Sequence, residues 1–351
     1  MTDVSDPVLF KVSGAVYDLD MLRPVRWWLY FVALLVVIMV LVGGATRLTD
    51  SGLSITEWGP IRGAIPPLFP ADWLAEFAKY QTTTEYQTIN KGMSLDAFKT
   101  IYWWEWAHRF LGRLIGIVVL LPLIWFWVRG RLTPWLKPRL VVLLLLGGLQ
   151  GAIGWWMVKS GLVNRVDVSQ TRLAVHLTMA CIILAMTVWL ARSIARHTAA
   201  ATYGFNGQAA GIVFLVLLQV FLGGLVAGLD AGMAYNTWPD MNGELVPDGL
   251  WVIDPAWKNI FDNALTVQFF HRVTAYLLLI AVIMHWVKLR AAGGGSQHAR
   301  RGLLLFLLVC LQAGVGIVTL LMQVPLSWAL AHQFGAIVVL SFAVMHWRAL
   351  V

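Results

Sequence analysis

Eight stretches of this chain are apolar for long enough to cross a lipid bilayer, and nothing else in the sequence restricts the fold as much. A crossing takes about 20 apolar residues in a helix. Hydrocarbon offers no water to pair with backbone N–H and C=O groups, so each stretch must satisfy them internally. The stretches lie near 27–45, 102–128, 139–159, 171–191, 209–228, 265–288, 302–322 and 327–347. The expected fold is an all-α integral membrane protein with eight transmembrane helices. Charged residues make up 13% of the chain, against about a quarter in soluble domains.

The short loops orient these helices. Arg129, Arg131, Lys137 and Arg139 lie between spans two and three, and Arg192, Arg196 and His197 between spans four and five. Lys288, Arg290, Arg300 and Arg301 flank a Gly-rich turn at 293–295. The positive-inside rule places these loops and both termini in the cytoplasm. The same placement accounts for the net charge of +8, so the expected basic-residue partner is membrane lipid and not nucleic acid. Long loops at 46–101 and 229–264 fall on the other face, the second carrying six acids against the single base Lys258. The first 26 residues contain Asp3, Asp6, Asp18 and Asp20 and have no apolar core. They resemble neither a signal peptide nor an Arg-rich transit peptide, which favours a bacterial inner membrane. Cys181 and Cys310 both lie inside apolar segments, so no disulfide framework, zinc site or loop redox pair is expected.

The chain repeats itself. Gly43-Gly44 ends span one before a Gly/Pro/Trp-rich loop, and Gly223-Gly224 ends span five before another. Gln150-Gly151-Ala152-Ile153-Gly154 in span three is echoed by Gln312-Ala313-Gly314-Val315-Gly316 in span seven. Two tandem four-helix bundles in the same orientation follow. The expected divisions are a cytoplasmic segment 1–26, a first bundle 27–192, a cytoplasmic linker 193–208 and a second bundle 209–351.

Four of the eight histidines share one depth. His108, His176, His271 and His332 each fall five or six residues inside the outer end of an even-numbered span, about 8 Å below the boundary. Each repeat thus supplies two imidazoles facing each other across a bundle, a bis-His heme iron site. A single such histidine would more often be a hydrogen-bonded interior residue, but four in duplicated positions read as ligands. Zinc would be left short with two nitrogens, whereas a porphyrin supplies four equatorial ligands itself. His285 and His346, in matching His-Trp dipeptides near the cytoplasmic ends of their spans, read as interfacial anchors. His197 and His298 read as solvated loop residues. Gln150 and Gln312 read as interhelical glue.

The two copies differ in one place. Glu105-Trp106-Ala107-His108-Arg109 recurs as Gln268-Phe269-Phe270-His271-Arg272, with the carboxylate exchanged for an amide. Glu105 lies one turn outward of His108. Two readings stand: a carboxylate that takes a proton or stabilises positive charge beside a porphyrin, or a structural acid paired with a nearby arginine. Arg47, Arg109, Arg172 and Arg272 lie near the same outer surface. They are candidates for binding heme propionates or for snorkelling to the interface.

These elements together resemble the heme A synthase family. The resemblance rests on the run Gly43 to Ser54 (GGATRLTDSGLS), Glu105-x-x-His108-Arg109 and Thr171-Arg172-Leu173-Ala174-Val175-His176. It continues through Asn236-Thr237-Trp238-Pro239, Gln268 to Arg272 and Ala331-His332-Gln333. It covers about residues 43–335 and implies oxidation of a methyl group of heme O to a formyl group, giving heme A, through two hydroxylations and loss of water from a geminal diol. It also implies that His271 and His332 ligate a resident heme b, and that His108 and His176 hold substrate heme O with Glu105 beside the reacting methyl. Heme O synthase, terminal oxidase assembly factors and an electron acceptor are the implied partners, with the heme sites toward the periplasm. Some members carry a cysteine pair in the outer loops. This chain has none there and resembles the cysteine-free branch of alphaproteobacteria and mitochondria. The rival reading is a diheme b-type cytochrome exchanging electrons with quinone, which explains four histidines but not the single acid.

Overall fold

The computed structural model describes residues 9–12, 15–59, 62–163, 165–194, 204–293 and 296–351. Parts of segment 1–26, most of linker 193–208 with His197, and Gly294 and Gly295 of the basic-side turn lie outside the described residues.

Eight helices are long and apolar enough to cross a membrane. In chain order the helices are α1 (Leu19–Leu48), the short α2 (Pro70–Tyr80) and α3 (Thr84–Thr88), then α4 (Leu95–Val128), α5 (Leu136–Gly161), α6 (Gln170–Ser193) and α7 (Asn206–Gly228). The four-residue α8 (Asn259–Asp262) precedes α9 (Ala264–Ala292), α10 (Gln297–Leu321) and α11 (Leu326–Leu350). A two-stranded antiparallel hairpin, β1 (Leu9–Val12) and β2 (Ala15–Asp18), leads into α1.

Two helices outrun their apolar stretches. α1 begins at Leu19 where the apolar run begins at 27, and α4 begins at Leu95 where it begins at 102. Polar turns extend each helix beyond the lipid, and α4 starts where the Ser94 side chain accepts from Ala97 N–H at 3.2 Å. Such a cap satisfies one of the helix's orphan donors.

The helices close into two rings. α1, α4, α5 and α6 pack in sequence around the first, and α7, α9, α10 and α11 around the second. The rings meet through α6 on α7, α11 on α6 and α1 on α11. Lipid-facing leucines gain nothing by leaving lipid for another helix, so association depends on close approach and interhelical hydrogen bonds. At the α6–α7 seam a Cβ on Gly224 would stand 2.8 Å from Ala174 Cα, and one on Gly228 2.6 Å from Gln170 Cα. Only glycine lets the two backbones come this near. At the α1–α11 seam the Gln333 amide fills the space beside Gly44 and donates to Val40 O at 2.8 Å. One apolar core, with Leu29, Leu184, Val216 and Leu340, runs through both rings. The basic end is tied by Arg348 Nε donating to Ser193 Oγ at 2.8 Å.

The loop-rich end is capped unequally. Over the first ring, α2, α3 and the start of α4 enclose an aromatic cluster of Tyr80, Tyr86, Phe98 and Tyr102. Glu85 is buried in this cap, and burial pushes its carboxyl up to about 8. Over the second ring lies the loop 229–263, in which Asn259 donates to Ile253 O and Ala256 O. Arg47 links the loops of the two rings, as does Gln170, whose Nε2 donates to Asp262 Oδ1 at 2.6 Å. Arg47, at the end of α1, reaches Asp50 and Asp230, each at 3.1 Å. Aligning Gly43 with Gly223 makes these two aspartates equivalent, and both adopt positive φ (47° and 48°) just past their helices.

Candidate functional site

The repeat unit of the site is an imidazole lodged against a glycine on the preceding long helix of its ring. A Cβ on Gly43 of α1 would stand 2.9 Å from the His108 ring on α4, and one on Gly154 of α5 would stand 2.9 Å from His176 on α6. In the second ring Gly223 of α7 backs His271 on α9 at 3.2 Å, and Gly316 of α10 backs His332 on α11 at 2.6 Å. All four histidines singled out from the sequence therefore occupy one environment, and each ring holds two of them.

His108 and His176 face each other with ring centroids 6.5 Å apart. An imidazole nitrogen lies about 2 Å from a metal it binds, so two rings sharing one ion stand roughly 6 Å apart between centres. His271 and His332 take the corresponding places in the second ring. Among the described residues no group of three or more His, Cys, Asp or Glu could hold a metal ion. Paired imidazoles therefore suit a metal that brings most of its own ligands, as heme iron does.

The sequence reading missed part of this arrangement. Gln150 and Gln312 are not merely glue between helices. Gln150 Nε2 lies 3.2 Å from His176 Nδ1 and donates to His176 O, and Gln312 Nε2 lies 3.0 Å from His332 Nδ1 and donates to His332 O. Gln219 of α7, not singled out above, does the same to His271 at 3.1 Å. A metal-bound imidazole needs a partner for its other ring nitrogen. The amide N–H beside each ring can donate only to an unprotonated ring nitrogen. In all three glutamines Oε1, the acceptor that a ring N–H would need, is buried with no partner, so the bond each makes without condition is the one to the histidine carbonyl. The signal was available as a spacing, because Gln150, Gln219 and Gln312 each precede their glycine by four residues. Only Met39, four before Gly43, breaks the pattern, so His108 alone lacks the amide.

Glu105 is 2% exposed and its carboxylate is saturated. Oε2 accepts from Ser54 Oγ and Ile55 N–H, both at 2.7 Å. Oε1 accepts from Arg109 Nε at 3.0 Å and Nη2 at 2.6 Å. Gln268 instead donates to Ala231 O at 2.8 Å and Tyr235 O at 3.2 Å while accepting from Arg272 Nη2 at 3.0 Å. The acid sits where the loop offers donors and the amide where it offers carbonyls. The ion pair expected of a structural acid is thus present, and Glu105 holds the Ser51–Glu57 turn over the first ring.

Of the four arginines considered for propionates, three are committed within the protein. Arg109 also donates to Ile55 O and Glu57 O, Arg272 donates to Tyr235 O and Asp240 O, and Arg47 is held by its aspartates. Arg172 stacks on Trp156 at 4.6 Å and donates to Trp156 O.

Two sequence expectations are corrected at the basic end. His285 and His346 are not interfacial anchors: each is 1% exposed, and their Nε2 atoms are 2.9 Å apart, with Gln208 Oε1 on His285 Nδ1. His298 is 4% exposed and not solvated. Both cysteines are unbonded and lie within α6 and α10.

Comparison with known proteins agrees with this geometry. The chain belongs to the COX15-CtaA family of cytochrome oxidase assembly proteins, whose profile matches residues 26–344. It is 60% identical over 326 residues to a heme A synthase of Chelativorans, covering 93% of this chain and 90% of that one. It is 57% identical over 325 residues to a heme A synthase of Mesorhizobium japonicum, covering 92% and 90%. A heme A synthase of Sinorhizobium medicae is 54% identical over 331 residues, covering 94% and 90%.

Proposed function

We propose that this chain is a heme A synthase, an oxidoreductase that converts a methyl group of heme O to a formyl group. Two successive hydroxylations give a geminal diol, which loses water to leave the aldehyde. The relatives named above carry this activity in their names. One observation carries the reading on this chain's own residues. Two rings offer the same glycine-backed pair of imidazoles, yet only one ring has a carboxylate a turn outward of its histidine.

The first ring (27–192) is the substrate half in this reading. His108 and His176 hold heme O by its iron and fix which edge of the macrocycle meets Glu105. With its oxygens taken up by four donors, Glu105 acts through fixed negative charge and not as a proton acceptor. Charge positioned before the reaction stabilises positive charge developing at the methyl carbon without reorganisation. Arg109, Ser54 and Ile55 keep that carboxylate from turning away, and the α2–α3 cap shields the site from bulk water. The second ring (209–351) holds a resident heme b through His271 and His332, oriented by Gln219 and Gln312. Bound there, heme b would supply one-electron redox chemistry.

The basic loops on one face support an orientation with both heme sites toward the periplasm of a bacterial inner membrane. Heme O synthase and terminal oxidase assembly factors are the proposed partners on either side of the reaction. With no cysteine in the outer loops, heme transfer proceeds without a loop thiol pair, as in the cysteine-free branch. The test is expression beside a source of heme O, with extracted hemes identified by mass spectrometry. Heme A is expected. Unchanged heme O with an intact b-type spectrum would establish the diheme cytochrome instead.

A further inference from the structure

We propose that Lys159, Arg165 and Arg172 form a carboxylate-binding pocket at the outer mouth of the first ring, which receives the propionate edge of the porphyrin substrate. The proposal rests on the reading of that ring as the substrate half. The pocket is an open cavity of about 510 Å³ between the end of α5 and the start of α6, lined also by Trp156, Ser160 and Ser169. No acid lines it, and among the described residues none of its three cations forms an ion pair. The nearest acid, Asp167, turns its carboxylate toward Arg47 at 3.8 Å and gives only its backbone oxygen to Arg165.

The arginines are held but not neutralised. Arg172 uses Nη1 on Trp156 O at 2.7 Å and lies on the indole face, which fixes the plane of its fork. Arg165 uses Nη2 on Gln170 Oε1 at 3.2 Å. A guanidinium so oriented still has nitrogens for a carboxylate, and its planar fork is pre-organised for one. Position ties the pocket to the imidazoles. Arg172 precedes His176 by four residues, so it lies about 6 Å further out on the same helix face. Trp156 follows by two residues the Gly154 that backs the His176 ring.

The second ring does not repeat the helix cations of this pocket. Aligning Gly154 with Gly316 and His176 with His332 puts Leu321 where Lys159 stands and Trp328 where Arg172 stands. A molecule that enters and leaves with each turnover needs a charged handle at the mouth, whereas one that stays does not. The other three arginines near this surface are already spent on Glu105, Gln268 and the aspartates.

The experiment uses the purified full-length protein with its resident heme, titrated with ferric protoporphyrin IX or its dimethyl ester and followed by Soret absorbance. A His108→Ala variant, lacking one iron ligand, supplies the background. Wild type should bind the free acid about tenfold more tightly than the ester. K159Q/R165Q and R172Q should each remove most of that preference, R172K should restore part of it, and resident heme content should not change. Equal binding of acid and ester by wild type, or equal weakening of both in the variants, overturns the proposal. Preference for the acid without any heme A from heme O would retain the pocket and refute the synthase. Heme A formed without the preference would do the reverse.

Discussion

Gly316→Ala tests the lodging of imidazoles against glycines. The new Cβ would stand 2.6 Å from Cε1 and 3.1 Å from Nδ1 of His332. Carbon atoms rest about 3.5 to 4.0 Å apart, so the ring or the helix must retreat by roughly 1 Å. A metal–ligand bond tolerates about 0.2 Å. Forcing extra volume into a packed site costs about 1–3 kcal/mol, which weakens heme affinity roughly fivefold to 150-fold. The same arithmetic ranks the four glycines: Gly43 and Gly154, at 2.9 Å, should be intermediate and Gly223, at 3.2 Å, mildest. Gly147→Ala, with nothing within 4 Å of its new Cβ, is the control. Heme b per polypeptide, measured as the pyridine hemochrome, reads Gly223 and Gly316 in the second ring, and the affinity for added heme, followed by Soret absorbance, reads Gly43 and Gly154 in the first. Full heme content in Gly316→Ala, or Gly223→Ala proving the most damaging, would refute the argument.

Glu105→Gln should keep heme bound but abolish formyl product, because it removes the fixed negative charge; on either side the new NH2 also faces donors, at a structural cost of about 1–3 kcal/mol. Undiminished heme A would remove Glu105 from the chemistry. Asp230→Asn breaks an ion pair whose acid is 57% exposed, so it should lower stability by under about 1 kcal/mol, and thermal unfolding in detergent checks this. Glu85 keeps its proton up to about pH 8 when folded, where an unpaired carboxyl loses it near 4.5. The folded cap therefore binds more protons than the unfolded one across that window, and its stability should fall as pH rises from 4.5 to 8. Hydrogen exchange of α2 and α3 at the two pH limits measures the fall, and Glu85→Gln should flatten it. A cap that tightens toward pH 8 contradicts the sign.

The membrane spans and the four deep histidines were legible because lipid imposes one rule on every helix and duplication printed the site twice. What escaped was whatever depended on a partner distant in sequence. Gln219 meets His271 across 52 residues, and the sequence reading did not extend the Gln-x-x-x-Gly spacing into span five. His285 and His346 carry the polar tip that normally reaches for an interface, and only the ring that sets α9 across from α11 shows their Nε2 atoms meeting in the interior. The sequence left Glu105 between two readings because, beside its neighbour Arg109, its other donors, Ser54 and Ile55, come from a loop about 50 residues earlier. The extra turns of α1 and α4 escaped because hydropathy ends where lipid ends, and a helix need not.

The two seams between the rings have an evolutionary consequence. Gly44 and Gly224 occupy equivalent places, and each brings the first helix of its half against the last helix of the other, α1 on α11 and α7 on α6. Contacts that exchange in this manner are what a twofold axis produces when identical subunits pair. An ancestor of half this length would have dimerised through the same surfaces. Fusing two such copies leaves each free to differ from the other, as Glu105 and Gln268 do, and chains severed at the linker should still find each other.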